Sequence, residues 1–129
     1  MRSVSVGNLL TAATKTTVYT VPTGYYAKWN LCYVVNTTGN NKAIDAIWYD
    51  ASTATEIHIL DGYVLSPTQF IKFDGGAYVV LEEGDQVRME SESGSTMNTV
   101  NTFELYRKGE YSWQSLIRTL LTSCLLIPV

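Results

Sequence analysis

Polar and apolar residues alternate along most of this chain, and short turns containing glycine or proline separate the alternating runs. The run from 78 to 92, YVVLEEGDQVRMESE, shows the pattern most clearly, because Val87 and Met89 are apolar and each is followed by a charged residue. A period of two residues indicates a strand with one buried and one wet face. Gly84 favours a tight turn because glycine adopts positive φ at little cost. The run is therefore predicted to be a strand–turn–strand hairpin.

The same pattern recurs from residue 16 to residue 107 and gives about eight short strands. Turn signals every eight to twelve residues are typical of an all-β sandwich or a small barrel. No segment resembles a crossover helix between strands, which argues against a parallel sheet. The chain has 129 residues, the length of one domain, and is long enough to bury a core. We predict an all-β fold, an antiparallel β-sandwich.

Two local interpretations follow from the alternation. Residues 16–36 read as a second antiparallel hairpin, with its turn at Pro22-Thr23-Gly24. In its second run the residues predicted to face the core are Ala27, Trp29, Leu31, Tyr33 and Val35. In the last run, 98–106, one face mixes Phe103 and Leu105 with polar residues, so we expect that strand to point inward only in its second half.

Composition divides the chain into three parts. Residues 1–14 lack a clean period and read as an N-terminal arm or edge strand, residues 15–108 as the β-sandwich domain, and residues 109–129 as an apolar C-terminal anchoring segment. The apolar residues of the last part recur at three- and four-residue steps, which favours a helix. An extended or a disordered segment are the alternatives.

The C-terminal segment is too apolar to be left in water, so we expect it to dock on its own sheet or on another subunit. It is shorter than the roughly twenty apolar residues of a membrane span and carries Arg118 near its middle, so a transmembrane helix is not predicted. The residues expected to supply most of the association energy, together with the sheet edges, are Trp113, Leu116, Leu120, Leu121, Leu125 and Leu126.

Charge and aromatic content limit the kinds of partner. The net charge is −3, and no basic stripe exists that would neutralise a phosphate backbone, so nucleic-acid binding is not expected. Aromatic residues exceed what one small core needs, so some should lie at an interface or a sugar-binding surface. These are Tyr25, Tyr26, Trp48, Tyr49, Tyr63, Tyr78, Tyr106, Tyr111 and Trp113.

No residue pattern in the sequence predicts catalysis, a cofactor or a metal. His58 is the only histidine and should be an exposed strand residue, while Cys32 and Cys124 are interpreted as buried free thiols. The acidic segment 82–85 lacks the alternating carboxylates of a calcium loop, so it reads as a solvated turn. A pair of carboxylates brought together by the fold would be the remaining route to an enzyme. We predict that the protein is not an enzyme.

Four segments resemble small structural proteins of tailed bacteriophages. In those proteins a T-x-Y-T-V-P-x-G segment, an N-T-T/S-G turn, a D-x-S-T turn and an L-x-x-G-D strand pair follow one another. The corresponding segments here are 17–24, 36–39, 50–53 and 81–89, within a similarity that covers about residues 15–106. The resemblance implies a jelly-roll-like virion component of the head-decoration, neck or tail-appendage type. It also implies an oligomer, with a trimer favoured.

The function expected from the sequence is therefore that of a non-enzymatic virion structural protein. Its predicted partners are copies of itself and other virion proteins, and its expected location is the virion, assembled in the host cytoplasm. The alternative is a carbohydrate-binding module that uses exposed aromatic rings to bind host-surface glycans.

Overall fold

The computed structural model of the protein describes residues 1–11, 13–74, 76 and 78–108. They form nine β-strands, which in chain order are β1 (Arg2–Leu10), β2 (Thr16–Thr20), β3 (Tyr25–Asn36), β4 (Lys42–Asp50), β5 (Thr55–Leu65), β6 (Phe70–Phe73), β7 (Val79–Leu81), β8 (Gln86–Ser91) and β9 (Met97–Arg107). All pairings are antiparallel. The prediction of an all-β antiparallel sandwich is confirmed.

The strands form two sheets. Sheet A has the order β1-β9-β3, and both β6 and β7 pair with the free side of β3; sheet B has the order β2-β8-β4-β5. Only β4 and β5 are consecutive strands that pair with each other, since the other short connections cross from one sheet to the other or join β6 to β7. If β6 and β7 are counted as one broken strand, this is the eight-strand arrangement of a jelly roll.

Both predicted hairpins are wrong in their pairing, although their turns exist. β2 lies in sheet B and pairs with β8, whereas β3 lies in sheet A and pairs with β9. Likewise β7 belongs to sheet A and β8 to sheet B. The turn between β7 and β8 closes with the Asp85 N–H donating to the Glu82 carbonyl at 3.0 Å, and Gly84 has a φ of +84°. A tight turn of this kind joins two strands without specifying that they share a sheet.

The face of β3 that points inward changes at a β-bulge. Ala27 and Trp29 are buried as predicted, but the register shifts between Trp29 and Leu31. Beyond the shift the buried residues are Cys32, Val34 and Asn36, not the predicted Leu31, Tyr33 and Val35. The extra residue of a bulge reverses the faces of the strand after it, because side chains alternate with a period of two.

One face of strand β9 is buried along almost the whole strand, and not only in its second half as predicted. Thr99 and Asn101 are buried together with Phe103 and Leu105. Asn101 is accommodated because its Oδ1 accepts a hydrogen bond from Nε1 of Trp29 at 3.0 Å, so that both buried polar groups are satisfied.

The segment predicted as an arm or edge strand is the edge strand of sheet A. β1 pairs with β9 in continuous register, from Arg2 opposite Leu105 to Leu10 opposite Met97. The first and last described strands are thus neighbours. In the part of the chain that the structure describes, no helix has the length and hydropathy required to cross a membrane.

Candidate assembly surface

The outer face of sheet A carries a group of apolar side chains. Residues that face each other across antiparallel strands point to the same side of a sheet, so the register defines three successive rows on this face. The rows are Leu9, Asn98, Val35 and Phe70; Gly7, Val100, Tyr33 and Lys72; and Ser5, Thr102 and Leu31. We call these residues the apolar face. Lys72 is its only charged member.

The apolar face is open to solvent at both edges of the sheet. Leu9 on β1 is 61% exposed and Phe70 on β6 is 54% exposed, although both are large apolar side chains. The Phe70 ring packs against that of Tyr33 with a centroid distance of 5.6 Å, so it covers part of the sheet without being covered itself. An apolar patch of this kind on the surface of a domain is typical of a protein–protein contact.

The outer face of sheet B is chemically different. There the Glu56 carboxylate accepts hydrogen bonds from Lys15 Nζ at 2.8 Å and from Arg88 Nη1 at 2.9 Å. The Arg88 guanidinium also lies 3.7 Å from the ring centre of Tyr49. Ile47, which points outward beside Arg88, is only 1% exposed. The part of this face around Glu56 therefore carries an ion-pair network, whereas the edge strand β5 exposes Tyr63 and Val64.

The ion pairs make this network sensitive to acid. The hydrogen bonds from Lys15 and then Arg88 hold the pKa of Glu56 below its usual value of 4.5. A carboxyl whose pKa is lower in the folded state stabilises the fold above its unfolded pKa, and this contribution is lost as the pH falls through the folded pKa. The network should therefore contribute at neutral pH, and its contribution should decrease as the pH falls below 4.5 and through the lowered pKa of Glu56.

Glu56→Gln should lower the thermal unfolding midpoint at pH 7, and the difference from the unaltered protein should be smaller at about pH 3, where more of the carboxyl is protonated. Thermal unfolding followed by circular dichroism across this range measures both. Glu82→Gln, the same change at an exposed turn residue, is the control and should follow the unaltered protein. A Glu56→Gln effect of equal size at both pH values would contradict the ionic explanation.

A second aromatic group lies at the other end of the outer face of sheet A. Tyr26 and Tyr106 stack with a centroid distance of 5.1 Å, and Lys28 Nζ lies 4.8 Å from the ring centre of Tyr78 and 5.4 Å from that of Tyr106. A hydrogen bond to the Glu104 carboxylate raises the pKa of Tyr106. Tyr78 is half exposed, but Lys28 and the mutual stacking occupy much of the ring surface that a sugar would contact.

A pocket opens between the two sheets where β6 and β7 leave a gap beside β3. It has a volume of about 190 Å³ and is lined by Trp29, Cys32, Ile59, Phe73, Tyr78 and Val79, which we call the inter-sheet pocket. Burial raises the pKa of the Cys32 thiol to about 12. The thiol is therefore neutral at physiological pH and is not activated as a nucleophile.

The sequence predicted that the acidic segment 82–85 is a solvated turn. This prediction is wrong for Asp85, which is buried. Its Oδ1 accepts the Ala51 N–H at 3.0 Å, and its Oδ2 accepts the Glu82 N–H at 3.0 Å and Trp48 Nε1 at 3.2 Å. Glu83 accepts the Gly24 N–H and pairs with Lys108. These carboxylate oxygens hold the turn in place and are not arranged to bind a cation.

Among the described residues, the remaining candidates for chemistry do not converge on one place. His58 is exposed on β5. Among the described residues no three His, Cys, Asp or Glu side chains lie close enough together to hold a metal ion. The interface candidates from the sequence, namely Trp113, Leu116, Leu120, Leu121, Leu125 and Leu126, lie outside the described residues. The apolar face was not predicted, since its rows become visible only when the strand register is known.

No family model and no curated protein matches the sequence. Solved structures with a similar fold include a protein of the disulfide-linked pili of Bacillus endospore appendages, at 18% identity and a TM-score of 0.46 over 82% of this chain and 85% of that one. The nucleoplasmin-like N-terminal domain of Drosophila FKBP39 has 8% identity and a TM-score of 0.48, over 84% and 95%. The globular domain of zebrafish complement 1qA has 17% identity and a TM-score of 0.44, over 82% and 98%. These likenesses concern the fold.

Proposed function

We propose that this protein is a non-catalytic structural protein of a virion and that copies of it associate through the apolar face. The observation that carries the self-association is the exposure of Leu9 and Phe70 at the two ends of one row on sheet A. Covering them would remove apolar area from water, which is the main favourable term in protein association. The outer face of sheet B carries the ion-pair network around Glu56 instead, and its exposed apolar side chains in the described chain, among them Val64, are confined to the edge strand β5.

The sequence resemblance to small structural proteins of tailed bacteriophages supports the virion assignment. The two lines of support are independent, because the resemblance depends on turn motifs, whereas the apolar face depends on strand register. A homo-oligomer, with the trimer that the resemblance favours, is the proposed assembly. The contribution of residues 109–129 to association stays a prediction.

Replacing Leu9 or Phe70 with Lys should weaken self-association by about 10- to 100-fold each, since burial of such a side chain contributes roughly 1.5–3 kcal/mol. Analytical ultracentrifugation of the full chain over a concentration series measures the effect. Val64→Lys is the matched control, because Val64 is 57% exposed on β5 of sheet B and should tolerate the charge without loss of assembly.

Two outcomes would refute the proposed assembly. One is an unaltered protein that stays monomeric at micromolar concentration. The other is association of the Leu9 and Phe70 variants with the same constant as the Val64 control. Immunogold labelling of purified virions tests the virion assignment separately.

Glycan binding is the second candidate, and the observation in its favour is Tyr78, which is half exposed beside the Tyr26–Tyr106 stack. A glycan array probed with the full chain tests it. Binding that is lost in Tyr78→Ala would support this function, and an absence of binding to host-surface glycans would remove it.

A further inference from the structure

In the part of the chain that the structure describes, the two sheets have four edges, and only one of these is both long and regular. β2 has five residues and a register shift in its pairing with β8, and β6 and β7 have four and three residues. β5 is long, but its register with β4 shifts twice and it carries Glu56 and Asp61. Short strands, bulges and charged side chains prevent sheet edges from pairing with other chains. The remaining edge is β1.

β1 has none of these protections beyond its first residue. Its nine residues pair with β9 in continuous register, and after Arg2 the strand contains no charged residue and no proline. Among the described residues, no strand pairs with its other side. Every second N–H and C=O group of an antiparallel edge strand points away from its neighbour. β1 therefore presents a row of backbone donors and acceptors that can pair with a further strand.

The space between the two sheets is also partly open at this edge. Val4 and Val6 pack against the core from the inner side of β1, but they are only half-buried. Their neighbours on β9, Phe103 and Asn101, have no exposed area. A strand added beyond β1 would cover the two valines, and the removal of their apolar area from water favours this addition.

We infer that the added strand is β1 of a second copy, which runs antiparallel to the first about a two-fold axis through Val6. In this register all nine residues are paired, with Arg2 opposite Leu10 of the other copy and Val6 opposite its counterpart. A shift by one residue would instead set the valines opposite residues of the outer face. The two Arg2 side chains lie at opposite ends of the pair, about 27 Å apart, which is beyond the screening length in physiological salt.

A second copy is favoured over an unrelated chain because this edge is complementary to itself. Apolar residues of the two copies meet on the inner side, and the pairing closes at two copies because each copy has one β1. Sheet A would continue through both copies, with both apolar faces on the same side. The backbone of β1 makes the contact together with Val4 and Val6, so the inference does not depend on association through the apolar face.

Hydrogen exchange of the full chain, followed by nuclear magnetic resonance, tests this pairing. The β1 amides that point away from β9 should exchange about 10-fold or more slowly at a concentration where the protein self-associates than where it is monomeric. Rapid exchange at both concentrations would overturn the inference. Slow exchange at both would also overturn it, because a segment of the same chain would then cover the edge. Phe70→Lys, at the far edge of sheet A, should leave this protection unchanged, which distinguishes failure of the apolar-face contact from failure of the β1 contact.

Charge substitutions at Val6 test the two-fold register. Val6→Lys and Val6→Glu each place like charges directly opposite each other, so each should weaken association through β1 by about 10-fold or more. An equimolar mixture of the two variants places opposite charges across the axis and should restore the association. Analytical ultracentrifugation measures this, with Phe70→Lys present in both variants so that the apolar face contributes little.

The matched control is the pair Ser3→Lys and Ser3→Glu. Ser3 would lie opposite Leu9 of the other copy and not opposite its counterpart, so mixing these two variants should not change their association. A mixture of the Val6 variants that associates no more tightly than either variant alone would overturn the inference. The exchange experiment uses the unaltered protein and therefore decides the question even if a Val6 variant fails to fold.

Discussion

Replacing Asp85 with Asn should lower the free energy of unfolding by about 3–5 kcal/mol, because hydrogen bonds to a charged group contribute roughly 1.5–3 kcal/mol each and the donors left behind are buried. The carboxylate is 2% exposed and accepts hydrogen bonds from the N–H groups of Ala51 and Glu82 and from Trp48 Nε1. An amide has the same shape but presents an NH₂ group to at least one of these donors. An asparagine of the same shape therefore cannot accept all three hydrogen bonds.

Chemical denaturation in urea measures this effect, and Glu82→Gln provides the matched control. Glu82 lies in the same turn and is exposed, so the same chemical change there should alter stability by no more than about 0.5 kcal/mol. A loss of stability in Asp85→Asn as small as that in the control would contradict this explanation. It would mean that the buried carboxylate does not hold the β7–β8 turn against the turn that follows β4.

Phe103→Ala should destabilise the protein by about 3–5 kcal/mol, the range found when a buried phenylalanine is truncated. Its side chain has no exposed area and lies between the two sheets. Its ring stacks on that of Tyr19, in sheet B, at 4.2 Å, and lies 6.4 Å from that of Trp29, in sheet A. Truncation would leave a cavity bordered by both rings.

The control for this substitution is Thr102→Ala, one residue earlier on the outer side of the same strand. It should change the free energy of unfolding by about 0.5 kcal/mol or less, since Thr102 lies on the outer face and its hydroxyl makes an exposed hydrogen bond with that of Ser5. Denaturation curves with unchanged slope would show that both variants keep the same fold. A loss below about 1 kcal/mol for Phe103→Ala would mean that the sheets are held together elsewhere.

The fold class could be predicted because alternation is local. Along β8 the buried Val87 and Met89 and the half-buried Arg88 and Glu90 follow the period read from the sequence. The sheet to which each strand belongs could not be predicted from this local alternation. The turns at Gly24 and Gly84 both have positive φ, and both join strands of different sheets. A glycine in a turn indicates that the chain reverses direction, but it does not indicate which strand the next strand pairs with.

Long-range contacts account for the other errors. Asn101 reads as polar and therefore exposed, yet Trp29, distant in sequence, supplies the partner that permits its burial. Asp85 reads as a solvated turn residue, yet Trp48 and Ala51 enclose it. The bulge after Trp29 carries no glycine or proline that would mark it. The apolar face depends on the same information, because Leu9 and Phe70 share a row only through β9 and β3.

The pairing of β1 with β9 determines when the surface proposed for assembly comes into existence. Its rows combine residues from the first and the last described strands, so the first row is complete only when synthesis reaches Asn98 and the third only when it reaches Thr102. Contacts between residues so far apart in sequence also slow folding. A nascent chain that ends before residue 98 therefore presents no complete row of this surface and cannot join another copy through it.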